Sequence, residues 1–249
     1  MCGIAGSIIN ANLSSLKVSK LLNLMKNRGP DNQSYKKFEF SKKNLYFFSS
    51  RLKIVDRHDR SNQPMTFGNI TIIFNGEIYN HVELRKKILK KKFNLKTRSD
   101  TEIILRLYQV YGANCVDYLE GMWAFAIYDQ TKKIIFISRD RIGEKPLYYY
   151  KKNGSFYFGS QTNFIRQLTS NNSINHNKII NYLAYGYKSI ERGNDCFYEN
   201  IFKLEPGTNL IINNNFDFKF DKFWQPKIFE NSFSEKKINN IISSNLNKS

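Results

Sequence analysis

The second residue of this sequence is a cysteine, whose thiol could act as a catalytic nucleophile. Cys2 follows Met1 directly, so removal of Met1 would place a thiol and a free α-amine on one residue. The thiolate is the reactive form of cysteine, and its pKa of about 8.5 lies close to the α-amine's pKa of about 7.7–8.0. Such an amine can accept the proton of a neighbouring nucleophile at neutral pH. Cys2 is therefore a candidate N-terminal nucleophile, with a small inert thiol in an edge strand as the alternative.

Other catalytic patterns do not occur in the sequence. Its three histidines fit no metal-ligand spacing, and there is no GxSxG elbow, Walker A loop or GxGxxG fingerprint. Three cysteines, an odd number with no CxxC pair, predict neither a disulfide framework nor a metal centre. Cys115 and Cys196 are therefore interpreted as ordinary buried thiols, and no metal site is expected.

The charge balance is strongly positive, with 39 Lys and Arg against 21 Asp and Glu and a net charge of +18. Such a balance is typical of nucleic-acid binders. The basic residues, however, are scattered as singles and doublets, with one run at residues 90–92. We therefore expect a solvated basic surface and no specific nucleic-acid partner. A basic nucleic-acid-binding module is the rival hypothesis.

Length and apolar content indicate a globular protein. A chain of 249 residues with 41% hydrophobic residues is long enough to bury a core. No apolar run reaches the roughly 20 residues of a transmembrane helix. The N-terminus also lacks the basic and apolar regions of a signal peptide. These features predict a cytoplasmic protein with no membrane partner.

The elements that would position Cys2 follow from hydrophobic periodicity. The predicted helices are residues 16–26, 81–92, 101–111 and 234–247. The predicted strands are residues 2–9, 45–50, 52–55, 70–74, 123–128, 134–138, 147–151, 156–159 and 209–213. Many strands with helices inserted in blocks indicate a layered α+β fold. Ser99 can cap the helix that follows it by accepting from the Glu102 amide.

Eight motifs occur in order along almost the whole chain. They are CGIAG after Met1, RGPD at 28–31, RLKIVDR at 51–57, QPM at 63–65, NGEIYNH at 75–81, SDTE at 99–102, LEGMWAFAIYD at 119–129 and RDRIGEKPLYYY at 139–150. This ordered set resembles the glutaminase domain of glutamine-hydrolysing asparagine synthetases, which are class II (N-terminal-nucleophile) amidotransferases. The resemblance implies a four-layer αββα sandwich of the N-terminal-nucleophile hydrolase type over residues 2–217. Residues 218–249 would be a linker and the first helix of a truncated synthetase domain.

The resemblance also implies a reaction and its groups. Cys2 would attack the side-chain amide of L-glutamine, release ammonia and form a thioester. The Asn75 side chain and the Gly76 backbone N–H would stabilise the oxyanion. Because Asn-Gly pairs commonly form hairpin turns, a turn at these two residues is the alternative.

The expected glutamine receptors lie in the same motifs. Arg51 would bind the α-carboxylate in a bidentate manner, and Asp100 together with Glu77 would bind the α-ammonium. The backbone of Leu52, Ile54 and Val55 would line the pocket. Asp100 can also serve as an ordinary acidic residue in the first turn of a helix.

The partners implied by the resemblance lie partly outside this chain. No SGGxDS pyrophosphate loop occurs in the sequence, so ATP and Mg²⁺ are expected only for the missing synthetase domain. That domain would amidate aspartate in an ATP-dependent reaction. Two alternatives for the function remain open: another carboxylate acceptor such as a sugar acid, and an inactive glutamine-binding remnant. A second copy of the chain, in a homodimer, is a further candidate partner.

Overall fold

A computed structural model describes residues 1–91, 93–186, 193–227 and 234–247. Its strands are β1 (Gly3–Ile9), β2 (Asn32–Phe40), β3 (Lys43–Arg51), β4 (Met65–Phe67), β5 (Ile70–Ile78), β6 (Gly121–Asp129), β7 (Ile134–Arg139), β8 (Tyr148–Lys152), β9 (Ser155–Gly159), β10 (Phe202–Lys203), β11 (Thr208–Ile212) and β12 (Phe218–Lys222). Its helices are α1 (Ser15–Met25), α2 (His81–Leu89), α3 (Asp100–Tyr111), α4 (Thr162–Thr169), α5 (His176–Tyr185) and α6 (Glu235–Leu246).

The strands form two six-stranded sheets. The first has the order β10-β8-β9-β1-β3-β2, and the second has the order β12-β11-β7-β6-β5-β4. Neighbouring strands are antiparallel throughout both sheets. β1 pairs with β3 so that Gly3 faces Ser50, and β5 pairs with β6 so that Gly76 faces Trp123. These two registers place the start of β1 and the end of β5 at defined positions in the sandwich.

Three apolar clusters separate four layers. The middle cluster lies between the sheets and includes Ile8, Phe47 and Ile137. A second cluster packs α1 and α4 on the outer face of the first sheet, and a third packs α2 and α3 on the outer face of the second. Because successive side chains of a strand point to opposite faces, Phe47 enters the middle cluster while Phe48 packs under α1. The predicted αββα sandwich is confirmed.

The secondary structure differs from the sequence prediction at several places. Residues 52–55 are not a strand, because β3 ends at Arg51 and the Ile54 amide bonds the Leu52 carbonyl in a turn. The prediction missed β2, a half-exposed edge strand whose lysines mask its alternation. The predicted helix over 81–92 ends at Leu89, and Lys92 lies outside the described residues. The predicted helix over 234–247 is α6.

The second sheet extends beyond the expected domain boundary. β12 spans Phe218–Lys222 and pairs with β11 along its whole length, and the Trp224 amide then bonds the Gly207 carbonyl at 3.2 Å. The boundary expected after residue 217 is therefore placed too early, since it cuts off a strand of the sandwich. Residues 228–233 and 248–249 of the expected linker and helix lie outside the described residues. No helix within the described ranges is long and apolar enough to cross a membrane.

Candidate active site

One cavity of about 120 Å³ brings together every residue that the sequence assigned to catalysis or glutamine binding. These are Cys2, Arg51, Leu52, Ile54, Val55, Asn75, Gly76, Glu77 and Asp100. They come from the start of β1, the end of β3 and its following loop, the end of β5, and the start of α3. A cavity of this size accommodates a small molecule and not a macromolecule.

The Cys2 thiol lies half-buried at the start of β1. Its Sγ is 3.4 Å from the Leu52 amide nitrogen and 3.7 Å from the Leu52 carbonyl oxygen. Arg28 Nε donates to the Cys2 carbonyl at 3.0 Å and so holds its backbone. Burial raises the pKa of the thiol, and the Leu52 amide, the N-terminal ammonium and the Arg51 charge offset this only in part. The thiol is therefore protonated at neutral pH, and its reaction as a nucleophile requires a base.

Asn75 and Gly76 lie inside β5, opposite Ala124 and Trp123 of β6. The hairpin alternative is wrong, because β5 continues to Ile78. Asn75 is 1% exposed, and neither its Nδ2 nor its Oδ1 has a hydrogen-bond partner among the described residues. An unpaired buried polar group costs about 1–3 kcal/mol, and such groups in native proteins usually have a role. An orphaned NH₂ on a rigid strand is suited to bind the oxygen of a small polar molecule.

Glycine is required at position 76 by a close approach of two backbones. A Cβ on Gly76 would lie 2.2 Å from the Met122 carbonyl oxygen and 2.8 Å from the Trp123 Cα. Neither of these backbone atoms can move without disturbing the β5–β6 pairing. The absence of a side chain also leaves the backbone at Gly76 open to the cavity that it lines.

Arg51 departs from the expected geometry. Its Nη1 donates to the His58 carbonyl and to Asn62 Oδ1, at 3.1 and 2.8 Å. Its Nη2 donates to the Val55 and Asp56 carbonyls, at 3.2 and 2.5 Å. These four bonds use the four terminal N–H groups of the guanidinium. The expected bidentate clamp on a carboxylate is therefore not available in this conformation, and Arg51 instead holds the loop that lines the cavity.

Asp100 is a buried carboxylate at the beginning of α3. It is 4% exposed, and it accepts from the Ile78 amide at 3.2 Å and from the Thr101 amide at 2.9 Å. Burial raises the pKa of Asp100, although these bonds oppose the shift. No ion pair among the described residues includes it. Arg51 and His81 act on Asp100 only through space. A buried carboxylate that faces a cavity in this way is suited to receive a positively charged ligand group.

The cap of α3 forms differently from the expected capping box. Ser99 Oγ accepts from the Thr101 amide at 3.1 Å rather than from Glu102. The Glu102 carboxylate bonds the Lys96 and Thr97 amides instead, at 3.0 and 2.6 Å. The segment before α3 is thereby tied to the helix itself, which fixes the position of Asp100.

Comparison with known proteins identifies the family. The family model described as "Glutamine amidotransferase domain" matches residues 1–224. This chain belongs to that family. It is 34% identical to the Methanocaldococcus jannaschii protein "Putative asparagine synthetase (glutamine-hydrolyzing) 2", with 96% of this chain and 49% of that protein covered. It is 29% identical to "Asparagine synthetase (glutamine-hydrolyzing) 1" of Bacillus subtilis, with 90% and 35% covered.

A solved structure supports the fold of this amidotransferase domain. The glutamine phosphoribosylpyrophosphate amidotransferase from B. subtilis, complexed with ADP and GMP, matches with a TM-score of 0.65 at 17% identity. The match covers 90% of this chain and 50% of that chain. The amidotransferase domain therefore spans about half the length, or less, of the curated relatives and the solved structure that it matches.

The residues of the amidotransferase cavity that were not predicted as site residues include Gln63 and Lys145. Gln63, 4% exposed, accepts from the Phe74 amide at 2.6 Å and donates to Thr101 Oγ1 at 3.3 Å, so it joins β5 to α3. Lys145, 6% exposed, also lines the cavity. Both lie in motifs of the ordered set, at 63–65 and 139–150. That membership was the signal that could have identified them.

The loop between β3 and β4 depends on one buried carboxylate. Asp56, whose side chain is 1% exposed, accepts from the Arg98 amide, Ser61 Oγ and Arg60 Nε, at 2.7, 2.9 and 3.1 Å. Burial alone would raise the pKa of Asp56. The bonds from Arg98, Arg60 and Ser61 outweigh burial and hold the pKa well below its usual range. The ionised carboxylate therefore fastens the cavity loop to the segment before α3.

We expect Asp56→Asn to lower the free energy of unfolding by about 2–3 kcal/mol at neutral pH, because charge-assisted bonds are lost. A carboxyl with a depressed folded-state pKa contributes stability above its unfolded pKa of about 3.9 and loses it as pH falls toward the folded value. The difference between wild type and variant should therefore shrink below about pH 4. Urea unfolding across this range measures it. Asp59→Asn, at an exposed site, is the control, and an equal loss in both variants would contradict the prediction.

Proposed function

We propose that this chain is the glutaminase half of a glutamine-hydrolysing asparagine synthetase, which converts L-glutamine to L-glutamate and ammonia through a thioester on Cys2. The observation that carries this proposal is the meeting of three groups in one small cavity. They are the thiol of Cys2, the orphaned amide of Asn75 and the buried carboxylate of Asp100. A nucleophile, an oxyanion donor and a cation receptor are what amide transfer from an amino acid requires.

The first step requires a base because burial keeps the Cys2 thiol protonated. After removal of Met1, the α-amine of Cys2 takes the thiol proton, and Sγ attacks the side-chain amide carbon of glutamine. The negative charge moves to the amide oxygen, where the Asn75 NH₂ and the Gly76 N–H stabilise it. The α-ammonium then returns the proton to the leaving nitrogen. Ammonia departs, and water hydrolyses the thioester to release glutamate and restore Cys2.

Orientation of glutamine depends on its charged α-carbon end. The α-ammonium would bind the buried Asp100 carboxylate, with Glu77 beside it on β5. The α-carboxylate would lie against the loop of Leu52, Ile54 and Val55, which Arg51 holds in place and to which it lends a positive charge. Placing the α-carbon end fixes the distance at which the side-chain amide meets Cys2.

The fate of the ammonia is the second part of the proposal. Two relatives carry the name of glutamine-hydrolyzing asparagine synthetase, and this chain spans half or less of each. The ammonia would pass to a synthetase domain that amidates aspartate with ATP and Mg²⁺. Within the described residues, no group of three His, Cys, Asp or Glu could hold a metal ion. In this proposal the nucleotide, the metal and the choice of acceptor belong to the synthetase domain.

Glutamate release from L-glutamine by the purified chain tests the glutaminase proposal. Mass spectrometry first verifies that Met1 has been removed, and calorimetry measures glutamine binding in parallel. Release of glutamate and ammonia in equal amounts supports the proposal. Binding without release favours an inactive glutamine-binding remnant, and the absence of both overturns the proposal. A longer chain that includes the synthetase domain, supplied with ATP, Mg²⁺ and either aspartate or a sugar acid, tests the acceptor.

We expect Asp100→Asn to raise the KM for glutamine by about 100-fold with a smaller effect on kcat, since the neutral amide keeps the shape but loses the charged contact to the α-ammonium. Steady-state kinetics measure the two constants separately. Asp117→Asn, at an exposed position outside the cavity, should leave both unchanged. A loss confined to kcat would contradict the assignment of Asp100 to substrate binding.

A further inference from the structure

Lys145 is a buried lysine of the cavity that the reaction described above does not use. It lies in the loop between β7 and β8 and is 6% exposed. Its Nζ lies 3.5 Å from the Met1 sulfur. Among the described residues, no ion pair includes Lys145. A buried ammonium beside a thioether is poorly compensated, because thioether sulfur is a weak acceptor.

Hydrogen bonds fix the backbone at Lys145 relative to β6, the strand next to Asn75 and Gly76. Its amide donates to Asp140 Oδ2 at 2.9 Å, and the Trp123 amide donates to the same oxygen at 3.2 Å. Trp123 is the residue that pairs with Gly76. Asp140 thus joins the lysine loop to the strand that flanks the proposed oxyanion site, and Arg139 Nε secures the Lys145 carbonyl at 2.8 Å.

Met1 contacts Lys145 and precedes Cys2, and all three residues line the cavity. Its side chain reaches Lys145 Nζ, and its carbonyl is bonded to the Cys2 nitrogen through the peptide. Removal of Met1 eliminates the thioether and creates the α-amine of Cys2 next to the thiol. This new titratable group belongs to a residue of the same cavity that Lys145 lines.

We propose that Lys145 is a positioning residue of the glutaminase reaction, whose positive charge faces the N-terminal Cys2 after Met1 is removed and favours its neutral amine and its thiolate. This inference rests on the proposed glutaminase function. A nearby cation disfavours a second cation, the α-ammonium, and favours an anion, the thiolate. Amine and thiol belong to one residue and titrate as a pair, so both effects lower the pH at which the pair becomes reactive.

The other charged and titratable groups around Cys2 lie on several strands and helices that pack around the cavity. They are the N-terminal amine, Arg28 after α1 with Tyr148 of β8 beside it, Arg51 at the end of β3, Glu77 of β5, and Asp100 of α3. The Arg28 and Arg51 guanidinium groups donate to carbonyls of the chain. Asp100 carries the opposite charge and would be neutralised by bound glutamine. Lys145 differs from these arginines because its acceptor is the Met1 sulfur, which is lost when Met1 is removed.

The test compares Lys145→Met, which removes the charge and keeps an apolar side chain, with Lys145→Arg, which keeps the charge. The matched control is Lys152→Met, seven residues away at an exposed site of β8. Each chain, with Met1 verified as removed, is alkylated with iodoacetamide across a pH series, and mass spectrometry of the N-terminal peptide gives the rate at Cys2. We expect the half-maximal rate of Lys145→Met to shift up by about one pH unit, with no shift in the other two. The acid limb of kcat/KM should shift in the same direction.

Each outcome decides the inference. An unshifted alkylation profile in Lys145→Met overturns it, and so does an equal shift in Lys152→Met, which would reflect net charge alone. Lys145→Gln is a second neutral variant and must reproduce the shift, so that a folding defect in one variant does not mimic it. Alkylation needs no turnover. An inactive wild type would therefore reject the glutaminase function, while the alkylation profile still shows whether Lys145 acts on Cys2.

Discussion

Cys2→Ala is expected to abolish glutamine hydrolysis, with kcat/KM lower by about 10⁴-fold or more, because one nucleophile carries the whole reaction. The thiol lies in the cavity with its Sγ 3.4 Å from the Leu52 amide. Its replacement by a methyl group removes only the two long contacts of Sγ with the Leu52 backbone, at 3.4 and 3.7 Å. The variant should therefore fold normally and still bind glutamine, which calorimetry measures separately from glutamate release.

The other two thiols provide the control for this experiment. Cys115 is packed in the cluster beneath α3, and Cys196 lies on the opposite side, under the first sheet. Neither lines the cavity. Burial raises the pKa of both thiols, so each is inert at neutral pH. Cys196→Ala should keep full activity, and substantial turnover in Cys2→Ala would reject the thioester mechanism.

Asn75→Ala is expected to lower kcat by about 10²–10³-fold with little change in KM, as is typical for loss of one oxyanion donor. The reason is that the Asn75 NH₂ interacts with the amide oxygen most strongly when that oxygen carries negative charge. Because neither polar atom of the Asn75 side chain has a partner among the described residues, the substitution breaks no bond of the fold. Steady-state kinetics and urea unfolding together measure both effects.

Asn209 offers a matched control for Asn75. It is also 1% exposed on a strand of the second sheet, and its Oδ1 likewise has no partner among the described residues. It does not line the cavity. Asn209→Ala should therefore leave kcat unchanged. Similar losses of kcat in both variants would indicate a general effect of removing a buried amide and would contradict the oxyanion role of Asn75.

Much of the fold could be predicted from the sequence because burial imposes local periodicity. Residues 123–128 form an almost unbroken apolar run, and this run is β6, which is buried on both faces. The helices at 16–26 and 101–111 were indicated by apolar residues at helical spacing and are α1 and α3. β2 escaped prediction because an edge strand exposes one face and places lysines among its apolar residues. β12, also at an edge, escaped for the same reason.

The candidate site was predictable to a different degree for each residue. The positions of Cys2, Asn75, Gly76 and Asp100 follow from ordered motifs, and all four line one cavity. The direction of the Arg51 guanidinium did not follow. The sequence shows that a guanidinium is present at the end of a strand. Which carbonyl oxygens accept its hydrogen bonds depends on how residues 55–62 fold back toward it.

The identity and order of the reactive groups follow from the amino-acid sequence alone, above all a cysteine at the second position followed by the ordered motifs. Which of these groups meet depends on how the chain folds. The tertiary structure placed Asn75 and Gly76 in a strand instead of a turn, assigned Arg51 to a loop, and brought Lys145 to Met1 across 144 residues of chain. The hydrophobic pattern of a segment depends on which of its side chains are buried in one helix or strand. Hydrogen bonds and charge interactions, in contrast, join different helices and strands. Their partners come together only when the two sheets have packed.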